Sequence, residues 1–418
     1  MRIKFKKAVK DQPFKIYGED FVIPCKEGFP ITKNTLIIGS AGTGKCKAYL
    51  YPNVCEDENS NYIIVANDFR ANDMKALLPE NYCVKDINGK NAKFNPMLYL
   101  QTKQDVEEFV KAILHVSYCE LSKHNKETKF DKAEHTYLVL LMLITRGLYA
   151  DSRGFNYPND KYNLVSLNDF LYKEECELEN IIQSIKGRFP NDELENTWLT
   201  YKDYIKNETE STIHTIKYSL SIRLGFLHEY SDFFSDDNLS LHDLFEKDKQ
   251  AVVMRQETFE QKTKLILTLD VINIMLNHSK FDTYTKFILK DFLYYGNEIY
   301  NFERLFTEEN CSVDITAPSF EALIRRIPNI EKTFIKSSNI IYTGTAYDPN
   351  DLYFYELIKN NTQRKHKMTL KRIKKINNTP HKEIVFINGY GAFVCNKYIC
   401  EKKKELIFNE YLNTVKNL

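Results

Sequence analysis

Seven consecutive residues near the amino terminus have the types and spacing to hold phosphate. Gly39, Ser40, Ala41, Gly42, Thr43, Gly44 and Lys45 read Gly-x-x-x-x-Gly-Lys, the pattern of a P-loop. Glycine at both outer positions lets backbone N–H groups turn inward around phosphate oxygens, and a helix N-terminus behind the loop adds its positive dipole end. Lys45 is placed to reach the terminal phosphates. Cys46 follows, where such a loop carries a Ser or Thr hydroxyl for Mg²⁺. A thiol is a soft ligand with little affinity for that hard cation. The cofactor expected is therefore ATP, held by the loop, Lys45 and Cys46, with little help from the protein in binding Mg²⁺ and no metal ligand assigned.

The loop needs a strand before it and a helix behind it. Thr35-Leu36-Ile37-Ile38 is an apolar run fit for a buried strand, and Lys47 to Pro52 can continue a helix. That order argues against a chance match. Asn61 to Ala66 and Tyr82 to Ile87 read as further strands, and strands alternating with helices imply a parallel sheet flanked by helices. From about Thr102 the apolar residues fall at helical spacing, over Gln104 to Leu114, Asp131 to Leu148, Leu167 to Ile185 and Trp198 to Leu227. Strand texture returns at Gln250 to Met254, Tyr284 to Leu289, Cys311 to Thr316, Asn339 to Thr343 and Ile384 to Ile387. The expectation is an α/β protein: a P-loop sheet domain made of residues 1–101 and 237–418, with an all-helical domain, residues 102–236, carried inside it. The strands at 35–38 and 286–289 are expected to be neighbours in one sheet.

With 418 residues and 43% hydrophobic content the chain can build a substantial core in two or three domains. Its formal net charge of +1 excludes a global field that would drive it onto nucleic acid or membrane, so any such surface is local. Nine cysteines lack a Cys-x-x-Cys pair or a His partner at metal spacing and read as reduced, mostly buried thiols. Met1 to Lys7 is basic but lacks a signal peptide's apolar stretch, and the longest apolar run, Tyr137 to Ile144, is too short to span a bilayer. A cytoplasmic location without a transmembrane segment is the expectation. The densest basic stretch, Lys365-His366-Lys367, Lys371-Arg372 and Lys374-Lys375, reads as a solvated face or as a contact for a DNA backbone. The acidic run Asp232 to Asp243 reads as a solvated connection.

In this order the pieces resemble the type IV secretion coupling proteins, the conjugative DNA-transfer ATPases of the TraG type. The resemblance runs over roughly residues 30–400. Asn34 to Asn53 is similar to the family's P-loop segment, which ends in a Pro-Asn pair, here Pro52-Asn53. Asp68-Phe69-Arg70 stands where the family has Asp-Pro-Lys-Gly-Glu, and Phe94-Asn95-Pro96-Met97 with Thr102 to Asp105 resembles Tyr-Asn-Pro-Leu and its Thr-x-x-Asp continuation. Phe130 to Glu134, and Thr209 to Ile213 followed by Arg223-Leu224, resemble segments of the family's helical domain. Phe287-Ile288-Leu289-Lys290-Asp291-Phe292 and Gly296 fall on its Walker B strand, Leu-Asp-Glu-Phe-Ala-Asn-x-Gly. The resemblance implies a RecA-like motor that forms a ring, works at the inner face of a membrane and passes DNA or a relaxase–DNA complex to a type IV secretion channel. Family members usually begin with membrane-spanning helices; none is seen here, which against the resemblance implies a soluble version or one that has lost its anchor, with a separate protein to supply it.

Against that pattern the catalytic parts are altered. Lys290 takes the place of the Walker B Asp that holds Mg²⁺, and Asp291 that of the glutamate that positions water, one methylene shorter. Shifting the register by one makes Asp291 the metal ligand and leaves Phe292 as the base. Thr316 to Ala322 lacks the family's glutamines, and its Arg-rich turn has become Thr307-Glu308-Glu309-Asn310. Lys290 reads either as a strand-end lysine reaching solvent or as a cation that offsets phosphate charge in place of the metal. The expected function is a coupling-protein-like component that binds nucleotide with impaired hydrolysis. The alternatives are a DNA-translocating ATPase with an unusual metal site and a non-enzymatic adaptor that recruits relaxase or other cargo.

Overall fold

The structure, a computed structural model, describes residues 12–19, 21–25, 33–121, 129–150, 161–344, 348–361 and 368–400. In chain order the strands are β1 (Phe14–Gly18), β2 (Phe21–Pro24), β3 (Thr35–Gly39), β4 (Asn61–Ala66), β5 (Cys83–Asp86), β6 (Gln250–Arg255), β7 (Thr285–Leu289), β8 (Cys311–Ala317), β9 (Asn339–Gly344), β10 (Lys382–Ile387) and β11 (Gly391–Asn396). Strands β1 and β2 form a hairpin; the other nine form one sheet in the order β11-β10-β9-β3-β8-β7-β4-β6-β5. From β9 to β5 every pairing is parallel, and β10 and β11 add an antiparallel edge.

Side chains alternate across a strand, and here both faces are covered. Leu36, Ile38, Ile63, Val65, Phe287, Leu289, Val313 and Ile315 pack on one face, in a core shared with the helices Lys103–Leu121, Lys129–Tyr149 and Phe259–Met275. Ile37, Tyr62, Ile64 and Ile288 pack on the other, against the helix behind the phosphate loop and the helix Asp68–Leu77. Burial on both faces suits the apolar runs of β3 and β4; β7 and β8 carry polar residues that are also buried.

The strands at 35–38 and 286–289 share the sheet but are not neighbours. Strand β8 lies between them, with Ile37 opposite Thr316 on one side and Ile288 opposite Asp314 on the other. Its seven residues are all buried, so it fits a central place better than an edge. The inserted strand puts Thr316 between the phosphate loop and the end of β7.

All described elements from Lys103 to Phe234 are helical. Two of the expected helices are broken. Leu167 to Ile185 splits into Asn168–Leu171 and Glu175–Ile185, and Trp198 to Leu227 into Glu193–Ile205, Glu210–Arg223 and Gly225–Glu229. Thr209 starts the second of these by accepting the Thr212 N–H at 3.2 Å, so its polar side chain caps that helix. The family-like segments meet here: Glu134 pairs with Arg223 at 3.0 Å, both nearly buried. The acidic run is more than a solvated connection. Asp237 accepts the Tyr99 hydroxyl at 2.7 Å and the Ser240 N–H at 3.1 Å, and Asp243 pairs with Lys85, fastening the return into β6.

Two buried ion pairs fix the β1–β2 hairpin to the sheet. Lys15 of β1 pairs with Asp314 of β8, and Lys286 of β7 pairs with Asp57 while donating to the Phe14 carbonyl. All four side chains are within 1% of complete burial. Among the described residues no helix is long and apolar enough to cross a membrane. Of the basic stretch, Lys365-His366-Lys367 lies outside the described residues, while Lys371, Arg372, Lys374 and Lys375 lie on the helix Leu370–Asn377.

Candidate functional site

Strand β3 delivers the chain to the phosphate loop, and its last residue must be glycine. A Cβ on Gly39 would stand 2.0 Å from Thr343 Oγ1 and 2.5 Å from Thr43 Oγ1. Gly42 and Gly44 take φ of +79° and +94°, a region costly for other residues. Thr43 closes the turn by donating to the Ser40 carbonyl at 2.9 Å and meeting Thr343 Oγ1 at 2.8 Å. The Ser40 N–H donates to the Gly344 carbonyl at 2.9 Å, so that amide supports the loop's base. Ala41 and Gly42 stay exposed.

The chain then enters a helix whose first turn, Cys46–Leu50, is π-helical and runs straight into Tyr51–Cys55. Lys45, at its head, folds back on the loop and donates to the carbonyls of Gly39 and Ser40. Burial lowers its pKa; Cys46 and Asp291 oppose that shift and Lys290 adds to it. Burial pushes the Cys46 thiol up, against the pull of Lys290 and Arg70, which keeps the sulfur protonated and a poorer metal ligand.

Across β8, the end of β7 supplies the remaining groups. Lys290 pairs with the carboxylate of Asp291 and is only 12% exposed, so it does not reach into solvent as a snorkelling strand-end lysine would. Its carbonyl accepts Gln256 Nε2 at 3.2 Å. Asp291 turns left-handed, with φ of 54°, and its N–H donates to Thr316 Oγ1 at 2.9 Å. The fold thus brings Lys45, Cys46, Lys290 and Asp291 into one electrostatic neighbourhood. The donors there do not suit Mg²⁺, which takes oxygen ligands in near-ideal octahedral geometry. A protonated thiol stands in for the hydroxyl, and the nearby carboxylate is already neutralised by an ammonium.

Several groups around the loop were not assigned a role from sequence. Arg70 donates to Tyr51 at 2.9 Å and to Asp73 at 3.1 Å, next to Cys46. Asp68-Phe69-Arg70 is the first turn of its helix, capped by Asn67. Beyond β11, Lys397 donates to the Thr43 carbonyl at 2.7 Å and so braces the phosphate loop from outside. Near Lys397 lies Glu383 of β10, which is 1% exposed, with neither carboxylate oxygen hydrogen-bonded among the described residues. Burial raises its pKa to about 8, against the attraction of Lys397. A cleft of about 580 Å³ lined by residues such as Asn273, Phe292, Arg304 and Ile330 includes none of the phosphate-loop residues, so the chemistry follows the loop rather than that cavity.

No family profile and no curated protein matches the sequence. Solved structures do match. Bacterial conjugative coupling protein TrwB, in an unbound form lacking its first 70 residues, superposes with a TM-score of 0.59 at 11% identity, covering 95% of this chain and 90% of that one. The same plasmid coupling protein in complex with a non-hydrolysable ATP analogue gives 0.60 at 10% identity, over 89% and 86%. The fold is that of a conjugative coupling protein. VirB4 of Thermoanaerobacter pseudethanolicus is similar too, with a TM-score of 0.53 at 12% identity over 96% and 99%.

Proposed function

We propose that this chain is a nucleotide-binding, coupling-protein-like component of conjugative DNA transfer or type IV secretion, one that holds ATP but hydrolyses it poorly. The observation that carries the reading is the contrast within one site. The glycine turns and Lys45 are kept; Lys290, paired with Asp291, and Cys46, a thiol pushed up by burial, would stand where Mg²⁺ is held in this reading. Gly39 to Cys46 would hold the phosphates, and Lys290 would offset their charge. In such a cleft a fixed cation does part of what a metal does for binding, but it does not draw in and activate water.

Residues 1–101 and 237–418 are the nucleotide domain in this reading and residues 102–236 the helical domain, supported by the absence of any described strand between Lys103 and Phe234. DNA or a relaxase–DNA complex is the proposed cargo, a type IV secretion channel the proposed destination, and a ring the proposed assembly. The test is ATP turnover by the purified chain with and without single- and double-stranded DNA. The account expects turnover far below 1 s⁻¹ under all conditions; turnover of roughly 1 s⁻¹ or more, in the range of ordinary enzymes, would instead identify an active translocase with a metal site of another kind.

A further inference from the structure

Cys55, Glu56 and Cys400 converge at the far end of the phosphate-loop helix. Cys55 is its last residue and Glu56 its C-cap, with the Glu56 N–H donating to the Pro52 carbonyl at 2.9 Å. Cys400 arrives from the other end of the sequence, along the segment that follows β11, and is fully buried. Two sulfurs and a carboxylate oxygen from these residues lie within 4.8 Å of one another. The Tyr398 hydroxyl donates to Glu56 Oε1 at 3.0 Å.

We propose that these three side chains form a binding site for a thiophilic divalent metal of the zinc class. Two thiolates and one carboxylate match zinc's preference for sulfur and its tolerance of oxygen, and poorly suit Mg²⁺ or Ca²⁺. Tetrahedral zinc with bonds of about 2.3 Å to sulfur sets two thiolates about 3.8 Å apart, compatible with the convergence seen. Cys55 is half-buried and Glu56 exposed, which leaves an entry path and a fourth position for water. Tyr398 orients the carboxylate, as outer hydrogen bonds do around bound metals. Binding would release the two thiol protons to solvent. The spacing of the cysteines hides the site, because its halves come from opposite ends of the chain.

The site has a structural consequence. The segment Lys397–Cys400 runs from the Thr43 carbonyl, held by Lys397, to the end of the same helix at Cys55. Metal at the far end would pin this strap along the helix and keep Lys397 on the phosphate loop. The site does not depend on the nucleotide reading above.

The full chain, purified reduced and stripped with a chelator, is titrated with Co²⁺ and then with Zn²⁺. One equivalent of cobalt should produce a thiolate-to-metal charge-transfer band that zinc abolishes. Cys55→Ser or Cys400→Ser should remove the band, Tyr398→Phe should weaken zinc affinity about 10- to 100-fold, and Cys83→Ser, at an exposed thiol on β5, should change nothing. Circular dichroism checks the folding of each variant. Should both serine variants unfold, Glu56→Gln decides: weaker zinc binding supports the site and unchanged binding overturns it. Absence of the band in the parent chain, unchanged binding in folded Cys400→Ser, or closure of a Cys55–Cys400 disulfide in a chain that takes up no metal when reduced would each overturn the proposal.

Discussion

Lys290 enters the site from the end of β7 with its ammonium on Asp291, where an intact P-loop enzyme keeps an oxygen ligand for its metal. Because it is mostly buried, its charge acts through a poorly screened medium. A charge-assisted contact to phosphate is worth roughly 1.5–3 kcal/mol, so Lys290→Met should weaken ATP-analogue affinity roughly 10- to 100-fold, read by fluorescence titration. The double change Cys46→Ser with Lys290→Asp restores a hydroxyl and a carboxylate and should make affinity clearly Mg²⁺-dependent in the same assay. Glu383 gives a separate prediction. Burial raises its pKa to about 8 in the folded chain, above the ordinary value of about 4.3 in the unfolded one. Between these values the unfolded chain has lost a proton that the folded chain retains, so this group's contribution to stability falls as pH rises from about 4.3 to about 8. Glu383→Gln should remove that loss and raise stability at pH 8 by roughly 2–4 kcal/mol relative to the parent, with little effect at pH 4. Urea unfolding at both pH values measures it, and equal effects at both would contradict it.

At the scale of elements, the β1–β2 hairpin is fixed by charge as well as by apolar packing. Lys15 and Asp314 are buried together, with Tyr49 Oη donating to Asp314 Oδ2 at 3.3 Å. Removing one partner of such a pair strands the other, so Asp314→Ala should cost about 3–5 kcal/mol in urea unfolding. Lys15→Met with Asp314→Leu should cost much less, because neither charge is left alone. Strands such as β3, β4, β6 and β9 were readable as short, largely apolar runs because the centre of the sheet is covered on both faces. Strand β11 was not: Gly391–Asn396 sits at the antiparallel edge with a mixed burial pattern, so it carries no such run. Missing β11 also hid Lys397, whose place on the loop follows from where that strand ends. The order of the sheet was not readable either. Nothing local in Cys311 to Ala317 says that it pairs with β3 on one side and β7 on the other.

Across the whole molecule, the turns of the loop from Gly39 to Lys45 were legible because their pattern is local, with glycines and a lysine in one short stretch. What surrounds it was legible only in part. Lys290 and Asp291 could be matched to a pattern of short motifs, but that Lys290 is buried on Asp291 rather than reaching solvent depends on packing across three strands. Arg70 lies 24 residues from Cys46 and Glu383 lies 14 from Lys397, so those neighbours too are set by packing rather than by local sequence. The central claim is that this architecture keeps a nucleotide grip that does not rely on metal. Titrating a fluorescent ATP analogue into the full chain with Mg²⁺ and then with EDTA tests it most directly, with Lys45→Ala as the control. The account predicts only a few-fold weaker binding in EDTA and loss of binding in Lys45→Ala; a hundredfold or greater loss in EDTA, or undiminished binding by Lys45→Ala, would contradict it.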